Sequence, residues 1–181
     1  MADGPADTLA GMNLEGARVR LRPVAADDVE PLTQLLQQPE VARWWPDWDR
    51  TRVEREFLRP GEGESHWAIE HDGQLVGLIQ CYEEPDPEYR HASIDLFLDP
   101  AVRGRGLGPG AIRTLAAWLI DVRGHHRLSI DPALDNVAAI TAYRKVGFRD
   151  VGVLRQYGRA ADGTWVDHLL MDLLADELQR T

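Results

Sequence analysis

The stretch Arg103-Gly104-Arg105-Gly106-Leu107-Gly108 is the most informative part of the sequence for the fold. It lies between a predicted strand, residues 92–98, and a helical pattern of apolar residues that includes Ile112. Glycines let the backbone approach a ligand closely, and the start of a helix presents unpaired N–H groups at the positive end of its dipole. The stretch therefore predicts a pyrophosphate site, with a plain strand-to-helix turn as the alternative. The absence of a closing Gly-Lys-Ser/Thr excludes a Walker A motif, and a Rossmann glycine turn would normally follow the first strand of a parallel sheet.

A second block begins at Asn136. Asn136, Ala139 and Tyr143 are spaced so that they fall near one face of a predicted helix over 136–145. Gly147 follows in the position where glycine usually ends a helix. A tyrosine on the face that meets the glycine stretch is able to donate a proton, and a tyrosine packed in the core is the alternative interpretation.

The rest of the chain predicts an α+β domain with a mixed sheet. Apolar–polar alternation indicates strands with helices between them, and the pairs Asp72-Gly73 and Asp162-Gly163 predict hairpins. The predicted strands cover residues 17–23, 66–70, 74–82, 92–98, 127–130, 148–154 and 164–173. Residues 1–16 are aperiodic and rich in small residues, so we predict a flexible tail there and a single domain over 17–181.

Composition limits the classes of function. The chain has 181 residues, of which 44% are hydrophobic and 28% charged, as in folded globular proteins. No apolar run is long enough for a membrane span and the N-terminal residues lack a signal-peptide pattern, so we expect a cytoplasmic protein. The net charge of −10 argues against nucleic acid or an anionic membrane as a partner and is compatible with a cationic ligand, although acidity also serves solubility alone. The single cysteine, Cys81, excludes an internal disulfide, and no Cys/His cluster has zinc-ligand spacing.

Together the two blocks resemble the GNAT superfamily of acetyl-CoA-dependent N-acetyltransferases. The first block of that superfamily reads Arg/Gln-x-x-Gly-x-Gly/Ala and is matched by Arg103, Gly106 and Gly108. The second reads Asn-x-x-Ala-x-x-x-Tyr-x-Lys-x-Gly-Phe, and the matching positions are Asn136, Ala139, Tyr143, Lys145, Gly147 and Phe148. The resemblance covers nearly everything after the predicted tail. It implies the GNAT fold, a twisted and mostly antiparallel mixed sheet with helices on both faces.

The resemblance also implies how acetyl-CoA binds. Backbone N–H groups of the glycine stretch would hold the pyrophosphate, and the strand around Phe97 and Leu98 would pair with the pantetheine arm and polarise the thioester carbonyl. Asn136 would fix the cofactor, and Tyr143 would protonate the leaving CoA thiolate. Transfer would be direct, and no metal is expected. The residues expected to bind the cofactor are Phe97, Leu98, Arg103, Gly104, Arg105, Gly106, Leu107, Gly108, Pro109, Asn136, Ala139 and Lys145.

Four local features resemble the aminoglycoside 6′-N-acetyltransferases within that superfamily. They are Trp44-Trp45, Gln80-Cys81-Tyr82, Ile94-Asp95 and Asp131-Pro132. The chain departs from this subgroup in a shorter loop after Tyr82, where Pro85-Asp86-Pro87 stands, and in Arg103 in place of glutamine. The different loop puts the range of acceptors in doubt.

Asp95 is the predicted general base. An alkylammonium has a pKa of about 10.4, so the acceptor arrives protonated, and a carboxylate beside it binds the ammonium and then takes its proton. Asp95 interrupts the apolar run 94–98, which is unusual for an unpaired acid; a solvated face of an alternating strand is the alternative.

The acceptor is expected to bind through aromatic and acidic side chains. Trp44 and Trp45 would stack on a sugar ring or an ammonium, and Asp131 would hold a second ammonium or a hydroxyl group. A hydrophobic plug and a turn aspartate before proline are the respective alternatives. Asp86 belongs to an acidic run that either attracts a polycation or is only a solvated loop. The residues expected to bind the acceptor are Trp44, Trp45, Gln80, Tyr82, Asp86 and Asp131.

Other functions stay open at this level. The opening strand and helix also resemble ribosomal-protein alanine N-acetyltransferases, which act on a peptide N-terminus, and siderophore-type N-acyltransferases share the second block. A non-catalytic acyl-CoA sensor is the alternative of a different class. The resemblance predicts direct transfer of the acetyl group of acetyl-CoA, in a ternary complex, to the 6′-amine of an aminoglycoside antibiotic, which confers resistance. The protein is expected to act on this cationic small-molecule amine as a monomer or homodimer, without nucleic acid or a membrane.

Overall fold

The computed structural model describes residues 12–181, which form an eight-stranded sheet with helices on both faces. The strands are β1 (Leu14–Glu15), β2 (Arg20–Pro23), β3 (Glu64–His71), β4 (Gln74–Glu83), β5 (Ala92–Leu98), β6 (Arg127–Ile130), β7 (Arg149–Arg159) and β8 (Trp165–Leu174). The α-helices are α1 (Val29–Leu36), α2 (Pro39–Ala42), α3 (Arg50–Phe57), α4 (Leu107–Asp121) and α5 (Val137–Arg144). Short 3₁₀ turns cover Ala26–Asp28, Pro100–Val102 and Ala175–Glu177.

The sheet contains one parallel pair, and this pair separates. The strand order is β1-β2-β3-β4-β5-β6-β8-β7, and the neighbours are antiparallel apart from β5 and β6. Within the described residues, β5 and β6 pair only at Ala92–Leu128 and Ser93–Ser129. Beyond these pairs the two strands diverge and leave a gap, which we call the β5–β6 gap. Asp95 follows the last pair on one side of the gap, and Asp131 follows it at the equivalent position on the other.

Alternation along β5 assigns its side chains to two cores. Ala92 and Ile94 belong to the larger core, which α4 and α5 cover, whereas Phe97 belongs to the smaller core beneath α1, α2 and α3. Successive side chains of a strand point to opposite faces. Asp95 therefore projects to the same side as Phe97, towards the smaller core.

The predicted fold class and most predicted elements are confirmed. The strands at residues 92–98 and 127–130 have the predicted bounds, and the two predicted hairpins join β3 to β4 and β7 to β8. Asp72 and Gly73 have φ angles of 50° and 73°, as a two-residue hairpin turn of the favoured type requires. Helix α4 has 15 residues and is longer than the apolar pattern indicated.

The predicted flexible tail is wrong at its C-terminal end. Leu14 and Glu15 form β1, where Leu14 pairs with Leu21 and is buried in the larger core. Burial of this leucine and the hydrogen bonds to β2 stabilise a segment too short to show alternation. Residues 1–11 of the predicted tail lie outside the described residues, and the single domain over 17–181 stays a prediction.

Gly77 allows β4 to approach β5. A Cβ added at Gly77 would lie 2.2 Å from the carbonyl oxygen of Phe97, which belongs to the backbone and cannot move aside. We expect Gly77→Ala to lower the free energy of unfolding by about 1–3 kcal/mol, as overpacking does. Gly152→Ala in β7 is the matched control, because its added Cβ meets no described atom within 4 Å. Chemical denaturation measures both, and equal effects would contradict this account.

Candidate active site

An open pocket of about 580 Å³ lies on the α1–α3 side of the sheet, beside the β5–β6 gap. We call it the acceptor pocket. It is lined by Asp95 and by all but one of the residues expected to bind the acceptor, namely Trp44, Trp45, Gln80, Tyr82 and Asp131. Its other charged or titratable lining residues, apart from Cys81, are Asp47, Arg52, Glu56, Glu64, His66 and Arg159. The structure thus brings together residues from distant parts of the sequence.

The floor of the acceptor pocket is built from three strands in register. His66 of β3 pairs with Gln80 of β4, and Gln80 pairs with Asp95 of β5, so these residues form one row across the sheet. The next row consists of Glu64, Tyr82 and Ser93. Directly opposed side chains of antiparallel strands lie on the same face. His66 and Glu64 were not predicted as site residues.

Asp95 is positioned as a base with a pKa near neutrality. Solvent reaches the residue through the pocket, whereas protein encloses the carboxyl group on its other sides. This enclosure raises the pKa of the Asp95 carboxyl to about 7; the negative charge of Asp131 adds to the increase, and a hydrogen bond from the Leu96 N–H, 2.8 Å from Oδ1, opposes it. A carboxylate with such a pKa is suited to accept and release a proton at neutral pH.

Asp131 contributes the second carboxylate of the pocket. Enclosure raises its pKa, and His168 acts in the opposite direction through its charge and its hydrogen bond. His168 Nδ1 lies 2.6 Å from the backbone carbonyl oxygen of Asp131 and 3.5 Å from its Oδ2. His168 was missed in the sequence because it lies far along the chain, on β8.

Tyr143 approaches the gap from the opposite face of the sheet. It is buried in the larger core on α5, with its ring centroid 6.4 Å from that of Phe148. Burial raises the pKa of the phenol far above its ordinary value, and the charges of Asp95 and Asp131 raise it further. The hydroxyl therefore stays protonated at neutral pH and has a proton to donate.

The tryptophan segment 44–48 forms one wall of the pocket. Trp45 packs edge-on against Phe97 at 5.1 Å, and Trp48 stacks on Phe57 at 4.6 Å. Trp48 thus packs against the smaller core. The guanidinium of Arg43 lies over the ring of Trp44, with its central carbon 4.4 Å from the ring centroid. Arg43 also binds Asp135 at 2.8 Å, so this wall is tied to the segment that leads into α5.

The glycine turn, residues 103–108, leads into the N-terminus of α4. Gly104 and Gly106 have φ angles of 76° and 77°, which favour glycine, and Gly106 is the N-cap of the helix. A Cβ added at Gly104 would meet no described atom within 4 Å, so open space lies beside the backbone there. Gly108 lies against Leu98 of β5, where an added Cβ would be 3.3 Å from the leucine side chain. The arrangement has the geometry of an anion site at a helix start.

The backbone of β5 corrects one predicted contact. Asp99 N–H donates to Val76 of β4, and alternation then turns the N–H of Phe97 towards β4 as well. The same alternation turns the N–H groups of Leu96 and Leu98 towards the β5–β6 gap. Phe97 is therefore unable to offer its backbone to a ligand in the gap. We predict instead that the backbone of Leu96 and Leu98 faces the pantetheine arm.

The remaining predicted cofactor residues lie on and around α5 and α4. Asn136 is the N-cap of α5 and accepts a hydrogen bond from the Ala139 N–H at 3.2 Å, which leaves its side-chain NH₂ to a ligand. Lys145 is exposed at the end of α5, and its carbonyl oxygen accepts a bond from Arg113 at 2.9 Å. The positions of these residues agree with the predicted block, and their contacts with a cofactor stay a prediction.

Asp86 does not reach the acceptor pocket, which corrects its predicted role. It lies in the β4–β5 loop, where Oδ1 accepts the Glu88 N–H at 2.9 Å. Two acidic residues of the β7–β8 hairpin also have local roles: Asp162 accepts hydrogen bonds from Thr164 in the turn, and Asp167 accepts the Gln156 N–H at 2.8 Å. All three carboxylates accept hydrogen bonds from nearby groups. The sequence alone shows only that these residues are acidic.

Within residues 12–181, no three His, Cys, Asp or Glu side chains come together as a metal site would require. In the same part of the chain, no helix combines the length and apolar character needed to cross a membrane.

Comparison with known proteins identifies the relatives of the chain. Residues 18–149 match the family model described as Acetyltransferase (GNAT) domain. Spermidine N(1)-acetyltransferase of Escherichia coli (strain K12) is 28% identical over 141 residues, which cover 75% of each chain. Aminoglycoside N(6′)-acetyltransferase type 1 of Klebsiella pneumoniae is 26% identical over 155 residues, 75% of this chain and 76% of that protein. The structure of Mycobacterium smegmatis RimJ in complex with CoA-disulfide is similar, with a TM-score of 0.81 and 24% sequence identity. The similarity covers 94% of this chain and 91% of that chain.

The raised pKa of Asp95 predicts a pH-dependent stability. Its carboxyl changes from an ordinary pKa of 3.8 in the unfolded chain to about 7 in the folded protein, so stability falls as the pH rises through this interval. We expect Asp95→Asn to melt at a higher temperature than the wild type at pH 8, and the difference to disappear near the acid end of the interval. Calorimetry measures this, with Asp86→Asn as a control that shows no such trend. A lower melting temperature for Asp95→Asn at pH 8 would contradict the assignment.

Proposed function

The chain belongs to the GNAT acetyltransferase family, and on that premise we propose that it transfers the acetyl group of acetyl-CoA to the 6′-amine of an aminoglycoside antibiotic, which confers resistance. One observation supports this acceptor class: Asp95 and Asp131 face a single pocket walled by Trp44 and Trp45. Two separated carboxylates suit an acceptor with several ammonium groups, and the indole rings suit the apolar faces of its sugar rings.

The charges of the acceptor pocket also favour a polycation. Five carboxylates line it, those of Asp47, Glu56, Glu64, Asp95 and Asp131, against the two guanidinium groups of Arg52 and Arg159. Arg52 is bound to Glu56 at 3.1 Å, and Arg159 donates to the carbonyl oxygen of Gly163 at 3.3 Å. Both cations are thus engaged by the protein, and the net negative charge acts on the ligand.

Acetyl-CoA is the acetyl donor of this family, and the described residues fit it. The glycine turn would hold the pyrophosphate through backbone N–H groups at the start of α4, with the exposed Arg103 and Arg105 nearby. The gap-facing backbone of Leu96 and Leu98 would pair with the pantetheine arm. The side-chain NH₂ of Asn136 would add a further donor.

Asp95 and Tyr143 would manage the two protons of the reaction. Asp95 accepts a proton from the ammonium of the acceptor, and the freed amine forms a bond to the thioester carbonyl carbon while the carbon–sulfur bond breaks. Because the Leu96 N–H is bonded to Asp95 Oδ1, the gap-facing N–H of Leu98 would donate to the carbonyl oxygen, and Tyr143 would donate its proton to the departing sulfur. Burial raises the pKa of the Cys81 thiol far above its usual range, so Cys81 does not serve as a nucleophile.

The acceptor class is tested by a CoA-release assay. Acetyl-CoA is offered with kanamycin, tobramycin or amikacin, and in parallel with spermidine and with a peptide that has a free N-terminal alanine. We expect turnover with the drugs at micromolar concentrations. Turnover with spermidine alone or with the peptide alone would replace the aminoglycoside by that acceptor. If nothing reacts although acetyl-CoA binds in calorimetry, the proposed acceptor fails and an acyl-CoA sensor becomes the favoured function.

Loss of the base predicts a defect in rate rather than in cofactor binding. We expect Asp95→Asn to lower kcat/KM by about 10²–10⁴-fold, the usual contribution of a general base, with unchanged affinity for acetyl-CoA. Because the ionised carboxylate is the active form, the wild-type rate should rise with pH through a midpoint near 7. Steady-state kinetics over a pH series measure both. Near-normal activity of Asp95→Asn would overturn the assignment, and Asp86→Asn should behave as the wild type.

A further inference from the structure

His168 makes contacts that the proposed reaction does not yet use. Its Nδ1 lies 2.6 Å from the backbone carbonyl oxygen of Asp131, where β6 has ended and the chain turns towards α5. Since a carbonyl oxygen only accepts, Nδ1 carries the hydrogen in this bond. The His168 side chain is 20% exposed, so protein shields most of the ring and this bond from water.

The position of the His168 ring is fixed from two sides. A Cβ added at Gly158 of β7 would lie 2.2 Å from His168 Nε2, so the ring fits only because residue 158 is glycine. The ring of Tyr157 meets His168 edge-on, with the ring centroids 5.3 Å apart. These two neighbours fix the plane of the imidazole, and the bond from Nδ1 to the Asp131 carbonyl oxygen selects one of its two flipped orientations.

An irregularity of β7 places both neighbours. The register between β7 and β8 shifts between Leu154 and Gly158, and within this bulge Gln156 has a φ of 51°. Asp167 of β8 accepts the Gln156 N–H at 2.8 Å and stabilises the bulge. Bulges re-aim side chains next to active sites, and here the bulge brings Tyr157 and Gly158 against His168.

The segment that carries Asp131 is attached to β8 at further points. Leu169 N–H donates to the carbonyl oxygen of Pro132, and Leu134 N–H donates to that of Asp167, both at 2.9 Å. Both bonds involve residues that follow Asp131 in the chain, namely Pro132 and Leu134. On the other side of Asp131, β6 pairs with β8 as far as Ile130 and Met171, so the bond from His168 is the contact with β8 that Asp131 itself makes.

We propose that His168 is a positioning residue that holds Asp131 in place for an ammonium or hydroxyl group of the acceptor, and that Gly158 and Tyr157 keep the imidazole in the orientation this requires. The proposal rests on the proposed function in that Asp131 is taken to contact the acceptor. It adds a determinant of acceptor binding that lies behind the wall of the pocket.

Substitution of His168 tests the role by its effect on the two substrates. His168→Leu removes the donor and leaves the Asp131 carbonyl without a partner, so we expect KM for the acceptor to rise roughly 10- to 100-fold. The KM for acetyl-CoA should stay within about twofold, because the glycine turn is not involved. His168→Asn keeps an N–H donor close to the position of Nδ1 and should recover most of the acceptor affinity. His91→Asn is the control, since its ring also bonds a backbone carbonyl oxygen, at 2.8 Å from Tyr89, but away from the pocket.

Gly158→Ala tests the same contact without changing His168. The added methyl group should displace the ring and reproduce the acceptor defect of His168→Leu, whereas Gly152→Ala in the same strand should not. In an Asp131→Ala background, His168→Leu should add less than about twofold to the acceptor KM, because the two residues act as a unit. Equal rises in both KM values, or no rise for the acceptor, would overturn the proposal.

A measurement independent of turnover separates this proposal from the proposed function. Hydrogen exchange of the Leu134 amide reports whether the segment after Asp131 is held on β8. We expect His168→Leu to accelerate this exchange about tenfold or more relative to His91→Asn. Unchanged exchange would refute the role of His168 whichever amine is acetylated. If no amine in the panel reacts, the proposed acceptor fails, and the exchange result still decides whether His168 holds the segment.

Discussion

The separation of β5 from β6 after two residue pairs is the constraint on which the site depends. Continued parallel pairing would use the backbone groups of Leu96 and Leu98 and bring Asp95 and Asp131 into a closed sheet. Because the strands diverge, the N–H of Leu98 is not used by β6, the N–H of Leu96 bonds Asp95 Oδ1 instead, and the two carboxylates stand apart across an opening. Tyr143 lies in the core on the other face, near enough for the charges of Asp95 and Asp131 to act on its phenol, so the proposed base and acid approach the opening from opposite sides of the sheet.

The same opening sets the protonation of the site and lowers the stability of the fold. Enclosure raises the pKa of Asp95 to about 7 and keeps Tyr143 protonated, which are the states that proton transfer requires. An acid that ionises reluctantly destabilises the folded protein at neutral pH. His168 counteracts this at Asp131 by favouring its charged form, and the charge of Asp131 in turn acts on Asp95. The electrostatics of the site thus extend from β5 across β6 to β8.

The sequence predicted those parts of the site that local chemistry specifies. Alternation in residues 92–98 and the glycines at 104–108 located β5, the start of α4 and Asp95. His66 was missed because a bulge between Ile69 and Glu70 shifts the register of the β3–β4 hairpin by one residue, so counting back from Asp72-Gly73 places Ile79, not Gln80, opposite His66. His168 was missed because its partner, Asp131, lies 37 residues away at the end of β6. The prediction that Asp86 binds the acceptor was wrong because local contacts, which the sequence does not show, engage it. Its carboxylate accepts a backbone N–H within its own loop.

The structure separates the determinants of the reaction from those of acceptor choice. The base, the backbone donors and the glycine turn lie on β5 and the helix that follows it, where strand register fixes their geometry. The pocket walls come from the tryptophan segment 44–48 and the β7–β8 hairpin, which are joined to the frame by a few contacts such as Arg43–Asp135. On the proposed function, changes in these walls would alter which amine fits without disturbing the geometry of transfer. His168, which bonds the Asp131 carbonyl oxygen from behind the pocket, would then act on acceptor binding and not on the transfer itself.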